Sequence, residues 1–279
     1  MRHVRGFLIH FILILVCAFC LIPLLWLTST AFKGMGENIF QYPPVFLPEE
    51  PTFNNFYRAL KMVPIIKYVI NSFIVAFFTV VLNLIFSALA AYPLARMEFK
   101  GKKITFFAVL ATIMVPFQAI MLPIYIITLK LNLTDNNGAI MGYLGLILPF
   151  AVNAFGIFLL RQAFLTIPRE LEESAVIDGC NSFQIFYKVL LPLITPSLAV
   201  LAIFTFIGSW GEFLWPSIVL TNDSLMTLPV GINNMSSAFS ADYRLVAAGS
   251  IISIIPILIF FISMQKYFIQ GQTEGAVKG

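Results

Sequence analysis

Six stretches of this chain carry no Asp, Glu, Lys or Arg: 6–32, 68–95, 104–129, 136–160, 189–211 and 245–265. The shortest holds 21 residues. A helix that crosses a bilayer needs about 20 apolar residues. The pattern predicts an all-α membrane bundle with six spans, over approximately 7–32, 68–95, 104–129, 136–160, 192–220 and 245–268. The composition agrees: 11% of residues are charged, against about 25% in soluble domains. A length of 279 residues leaves room for one bundle and no large extramembrane domain. The shorter interval 224–241 carries Asn, Ser and Pro and reads as a loop. The first stretch follows Arg2, His3 and Arg5, as in a signal peptide, but it is long and shows no small-residue cleavage site; an uncleaved anchor is expected.

Lys and Arg orient such a chain. Six spans put both termini on one side. Placing them in the cytoplasm leaves eleven Lys and Arg inside, at 2, 5, 96, 100, 102, 103, 161, 169, 188, 266 and 278. Six stay outside, at 33, 58, 61, 67, 130 and 244. The bias favours cytoplasmic termini, and it puts the loop 164–191 on the cytoplasmic side.

That loop contains the most informative stretch, Ile167 to Pro192, with Glu170, Glu172, Glu173 and Asp178. It reads as two short helices around a hinge. Pro168 suits a helix's first turn, and the three glutamates then lie near its positive end. Gly179 is placed to end it. Asn181 with Gln184 three residues on reads as the cap of a second helix.

Elsewhere the polar residues are few. Asn71, Ser72, Asn83 and Ser87 fall in the second span, with Pro93 near its end; Pro116 and Pro123 fall in the third, Pro149 and Asn153 in the fourth. Prolines in spans fit a bundle with a polar interior, and they also fit packing alone. Glu212 lies near the outer end of the fifth span. A glutamate in an apolar segment is a functional candidate, although Trp210 and Trp215 beside it also fit an interfacial belt. Glu212, Asn153 and Trp210 are the candidate solute-path residues. The first outer loop, 33–67, begins irregularly at Pro43, Pro44, Pro48 and Pro51; a short surface helix is expected from Thr52 onward, facing either an extracytoplasmic partner or lipid. Cys17, Cys20 and Cys180 suggest no disulfide framework. No nucleotide-binding or metal-protease motif is present.

The 167–192 stretch resembles the EAA loop of the inner-membrane permease subunits of ABC importers: Glu173-Ser174-Ala175, then Gly179, then Val189-Leu190-Leu191-Pro192 at the family spacing, with Ser for the first Ala and Val for the Ile. Trp210-Gly211-Glu212-Phe213-Leu214-Trp215-Pro216 looks like the Trp-Asn-x-Phe-x-Trp-Pro stretch of sugar-importer permeases, with Gly211 in the Asn position. The tail from Gly271 to Gly279 and the Asn71-Ser72 pair are similar to those of the maltose-type second permease.

This resemblance implies a type I importer permease in a bacterial-type inner membrane. Its partners would be a homologous second permease, two ATPase subunits and an extracytoplasmic solute-binding protein, within membrane lipid and with no role for nucleic acid. The chain would bind no cofactor; ATP and Mg would sit on the ATPases. Glu173, Ser174, Ala175, Asp178, Gly179 and Pro192 would belong to the ATPase-coupling loop, and Thr273, Gly275 and Lys278 to a tail reaching the ATPase. The solute would be an oligosaccharide, a glycosylated osmolyte or glycerol-3-phosphate. A non-sugar solute is the nearest alternative within the family. A secondary transporter would call for paired mid-membrane charges and an internal repeat; neither is visible. A membrane enzyme would call for a cluster that His3 and His10 do not form.

Overall fold

The computed structural model describes residues 2–237 and 242–276. All thirteen of its longer regular elements are helices. In chain order these are α1 (Arg2–Phe32), α2 (Asn54–Met62), α3 (Ile65–Arg96), α4 (Lys102–Thr112), α5 (Phe117–Lys130), α6 (Ala139–Ile147), α7 (Ala154–Thr166), α8 (Glu170–Ile177), α9 (Ser182–Leu193), α10 (Thr195–Gly211), α11 (Leu214–Val219), α12 (Leu228–Ser237) and α13 (Tyr243–Ala276). The described chain forms two compact units, 1–66 with 230–256, and 67–229 with 257–279.

Among the described residues, four helices are long and apolar enough to cross a membrane, and up to six segments are if each bent pair counts as one span. The bent pairs are Ala139–Phe150 with α7, at 54°, and α9 with α10, at 76°. The continuous span expected over 104–129 is two helices instead. The chain leaves helical winding at 113–116, where Pro116 sits in an extended conformation ahead of α5. Proline removes a backbone donor and clashes with the preceding turn, so a break there is the low-energy answer. The expected loop at 224–241 contains α12. Val230, Ile232 and Met235 are buried on it, and Gly249 of α13 leaves room for Ile232 and Met235. Tertiary burial there outweighs the turn-forming composition.

In the first unit, the chain after α1 is held by side chains rather than by regular structure. Asn55 donates to the carbonyls of Ala31 and Lys33, at 3.0 and 2.8 Å, and so supplies partners for carbonyls at the C-terminal end of α1. Lys33 is buried, donates to Val45 O and lies over the Trp26 ring. The Glu37 carboxylate accepts the N–H groups of Gly34, Glu49 and Glu50. Burial pushes its pKa up, but those donors and Lys33 outweigh that and hold it below its ordinary value. Asp242 pairs with Arg58 at 2.9 Å and Arg244 at 3.3 Å, and Arg244 also donates to the carbonyl of Glu37.

In the second unit, the polar residues of α3 serve the breaks in its neighbours. Asn71 donates to Ser224 O and Met226 O and accepts from the Tyr143 hydroxyl. Ser72 accepts from Leu228 N. Asn83 donates to Phe150 O. Irregular backbone at membrane depth is stable only when its polar groups find partners inside the protein, and α3 supplies them. Gly156 fits beside this row because it has no side chain: a Cβ would stand 2.6 Å from Ser87 Oγ.

Candidate functional site

Residues 167–193 form a two-helix arm. It begins after Pro168, and α8 follows with Glu170, Glu172 and Glu173 in its first turn. It ends in a Schellman motif: Cys180 N donates to Ala175 O and Gly179 N to Val176 O, at 2.9 and 3.0 Å. Gly179 takes φ +80°, the left-handed region that glycine enters freely. A reciprocal capping box opens α9: Gln184 N donates to Asn181 Oδ1, and Asn181 N to Gln184 Oε1, both at 2.9 Å. Residues Ile185–Leu190 then wind as a π-helix.

The arm is fixed to the bundle in two ways. Ala175, Ile185, Phe186 and Leu190 are buried in one apolar cluster with Leu94 and Ala95 of α3 and Leu160 and Phe164 of α7. Arg96, at the end of α3, reaches into the arm's base. Its side chain is 5% exposed; the guanidinium donates to Ile167 O at 2.6 Å. It also forms an off-axis ion pair with Glu172, Nε to Oε1 3.1 Å. The outer face stays open. Val176, Ile177 and Phe183 are 59%, 86% and 65% exposed, and Glu170, Glu173 and Asp178 are exposed around them.

A second feature lies at the helix breaks. A cavity of about 200 Å³ is lined by Thr79 of α3, Asn153 before α7, Thr205 and Ser209 of α10, and Glu212 and Trp215. Each break places a capping side chain at its rim. Asn153 Oδ1 accepts from Gly156 N at 2.6 Å. Glu212 Oε1 accepts from Trp215 N at 3.1 Å, which starts α11. The hydroxyls of Thr79 and Thr205 have no hydrogen-bond partner among the described residues. Apolar walls with a few convergent polar groups are the makings of a small-molecule site. Trp215 closes one wall through its indole N–H, which donates to Gly145 O at 3.0 Å.

Residues 83–273 match the family model for the binding-protein-dependent transport system inner membrane component. The chain belongs to this family. It is 41% identical over 213 residues to the arabinooligosaccharides transport system permease protein of Bacillus subtilis (strain 168), covering 76% of this chain and 74% of that protein. It is 34% identical over 258 residues to a diacetylchitobiose uptake system permease protein of Streptomyces coelicolor, covering 92% and 91%. Its structure is similar to a chain of a bacterial ABC transporter that imports the acidic polysaccharide alginate, with a TM-score of 0.79, 28% identity and coverage of 96% and 98%. The all-α importer permease architecture expected from the sequence is therefore the one observed.

Within this family member, Glu173, Ser174, Ala175, Asp178 and Gly179 lie together on α8 and its terminal turn, with Ala175 facing in. Pro192 is exposed at the far end of α9. Glu212 and Asn153 share the cavity. Trp210 does not: it is 1% exposed and stacks on Phe206, 5.5 Å between ring centroids. Two positions past Ser209, α10 ends, and Trp210 points into the bundle while Glu212 turns to the cavity. Thr273 and Gly275 fall on the last turns of α13, and Lys278 lies outside the described residues. The pairing of Arg96 with Glu172 and the role of Asp135 were not visible in the sequence. Arg96 and Glu172 anchor the arm. Asp135 is 7% exposed and accepts the N–H groups of Thr221 and Asn222 at 2.7 and 2.5 Å. Buried acids this well supplied with donors look in sequence like ordinary loop residues.

Proposed function

We propose that this chain is one of two permease subunits of an ATP-driven importer for an oligosaccharide or a similar glycosylated solute. A solute-binding protein delivers the solute, and two ATPase subunits on the cytoplasmic side bind ATP and Mg. Its termini and the 164–191 loop face the cytoplasm. The carrying observation is the arm: rigidly anchored at its base, apolar and acid-fringed on its open face. A groove with basic rims on an ATPase fits that face, and the anchor converts a shift of the arm into a shift of α3 and α7. Substrate names of the relatives support the sugar class. The cavity between α3, α7 and α10 serves as part of the solute path, with Glu212 and Asn153 offering acceptors to sugar hydroxyls.

Gly179 tests the coupling. Among the described residues, nothing beyond its two chain neighbours stands within 4 Å of a Cβ at this position. Gly179→Ala therefore carries only the backbone cost, about 1 kcal/mol, and retains most uptake. Gly179→Leu adds bulk that meets only a partner. It should leave the subunit inserted, abolish solute-stimulated ATP hydrolysis and lose ATPase on co-purification. Equal behaviour of the two variants refutes the docked groove. Glu212 tests the path. Glu212→Gln keeps the acceptor for Trp215 N and removes the charge, so assembly should persist while uptake slows or changes solute preference. Unchanged kinetics across a panel of oligosaccharides would return Glu212 to a purely capping role.

A further inference from the structure

We propose that the turn between α3 and α4 binds an anionic phospholipid. A cavity of about 900 Å³ opens there, lined in part by Glu98, Lys102, Lys103, Phe106, Phe107 and Arg161. It is separate from both the arm's open face and the solute-path cavity.

The charge is one-sided. Arg161 donates through Nε to Leu94 O at 3.1 Å, which fixes the guanidinium 3.9 Å from the centroid of the Phe106 ring. Its remaining N–H groups meet no acceptor among the described residues, and no carboxylate lies within ion-pair distance of it there. Lys102 reaches Glu98 at 3.2 Å, and that carboxylate is 76% exposed. Lys103 has no ion pair among the described residues, and Lys100 precedes it in the turn. Four cations thus stand against one solvated acid. Lys102 and Lys103 also occupy the first turn of α4, which has no acid and no side-chain cap. Helix starts favour the opposite sign, so a bound anion relieves a conflict built into this turn.

The same place is apolar on its outer side. Ile104 is 77% and Phe107 65% exposed, within two turns of the lysines. α3 is a 32-residue apolar helix, and its end sets Lys100 to Lys103 at the depth of the head groups. Cations in a pocket at that depth, beside exposed apolar side chains, suit a phosphate with acyl chains attached. A soluble phosphate would use the cations and leave Ile104 and Phe107 without a role. Phosphatidylglycerol has the required chemistry.

The test uses the whole importer complex in nanodiscs of phosphatidylcholine containing graded phosphatidylglycerol, with retained lipid read by native mass spectrometry. Phosphatidylglycerol should be retained over phosphatidylcholine. Each cation removed should weaken the preference about five-fold, the factor for about 1 kcal/mol per Lys or Arg at an anionic surface. Lys103→Gln is the safe variant, because its side chain is exposed and makes no hydrogen bond or ion pair among the described residues; Arg161→Gln should match or exceed it; Lys61→Gln, on α2, should change nothing. Inorganic phosphate should compete poorly and short-chain phosphatidylglycerol well. No phosphatidylglycerol preference in the wild type, a preference undiminished from wild type in both Lys103→Gln and Arg161→Gln, or equal competition by inorganic phosphate would each overturn the assignment.

Discussion

Arg96 offers the sharpest test of how the arm is held. Replacing it with Met keeps most of the side-chain volume and removes the charge. Two interactions go: the hydrogen bond to Ile167 O and the ion pair to Glu172. Removing one partner of a buried pair costs roughly 3–5 kcal/mol, because the other charge is left without compensation. Glu172 retains 20% of its side-chain surface, so water screens part of that penalty, and about 2–3 kcal/mol is a fair expectation. The loss falls on the arm's local opening. Amide hydrogen exchange over 170–177 reads it directly and should accelerate roughly 30- to 150-fold, at tenfold per 1.4 kcal/mol. The double variant Arg96→Met/Glu172→Leu removes both charges and should recover a large part of the protection. If Arg96→Met leaves exchange in α8 unchanged, the arm is held by its apolar cluster alone. If the double variant costs the sum of the two single variants, the pair is not coupled.

Two further outcomes follow from other contacts. Gly156→Ala drives a Cβ to 2.6 Å from Ser87 Oγ; it should destabilise the purified subunit by about 1–3 kcal/mol, and Ser87→Gly should restore thermal stability to that variant, whereas a neutral Gly156→Ala would show the row to be loosely packed. In Asp242, burial raises the carboxyl pKa, but Arg58 and Arg244 outweigh this and hold it below its ordinary value. Its stabilising contribution is complete above the ordinary value and is lost only as pH falls through the lower folded one. Exchange protection of residues 34–50 should therefore persist from neutral pH down to about pH 5 and fall at all these pH values in Asp242→Asn. Loss of protection in the wild type already at mildly acid pH would contradict the Arg58–Asp242–Arg244 linkage.

What could be read from sequence divides along physical lines. Charge-free length revealed the apolar segments, because bilayer thickness acts on every residue of a span at once. Gly179 and the Asn181–Gln184 pair were legible because their interactions reach only three to five residues along the chain. The break at 113–116 was hidden, since Pro116 and Pro123 are equally compatible with a kinked continuous helix, and only the surrounding packing decides. α12 was hidden because its Asn and Ser residues resemble a loop while its buried Val230, Ile232 and Met235 are too few to show a period. Arg96 and Glu172 are 76 positions apart, and no local rule pairs them. The α3 residues Asn71 and Asn83 could be seen as polar, but the carbonyls they serve belong to Ser224, Met226 and Phe150. Trp210 and Glu212 differ by two positions on a helix that ends between them, so a small change in winding sends one inward and the other to the cavity.

The π-helical winding of Ile185–Leu190 has a consequence for aim. An α-helix advances about 100° per residue, and a π turn absorbs one extra residue into its circuit. Everything on the N-terminal side of this stretch, Phe183 and the whole of α8 included, therefore points about a quarter-turn away from where an unbroken α-helix rising to Leu193 would direct it. One residue deleted within 185–190 would let the winding revert to ordinary α-helix and keep the arm's open face in phase with its base, whereas the same residues forced into α-helical winding would swing that face by about 100°. The segment behaves as an angular offset written into the chain: it takes up one residue's worth of rotation, and so sets the direction in which the arm's face is presented.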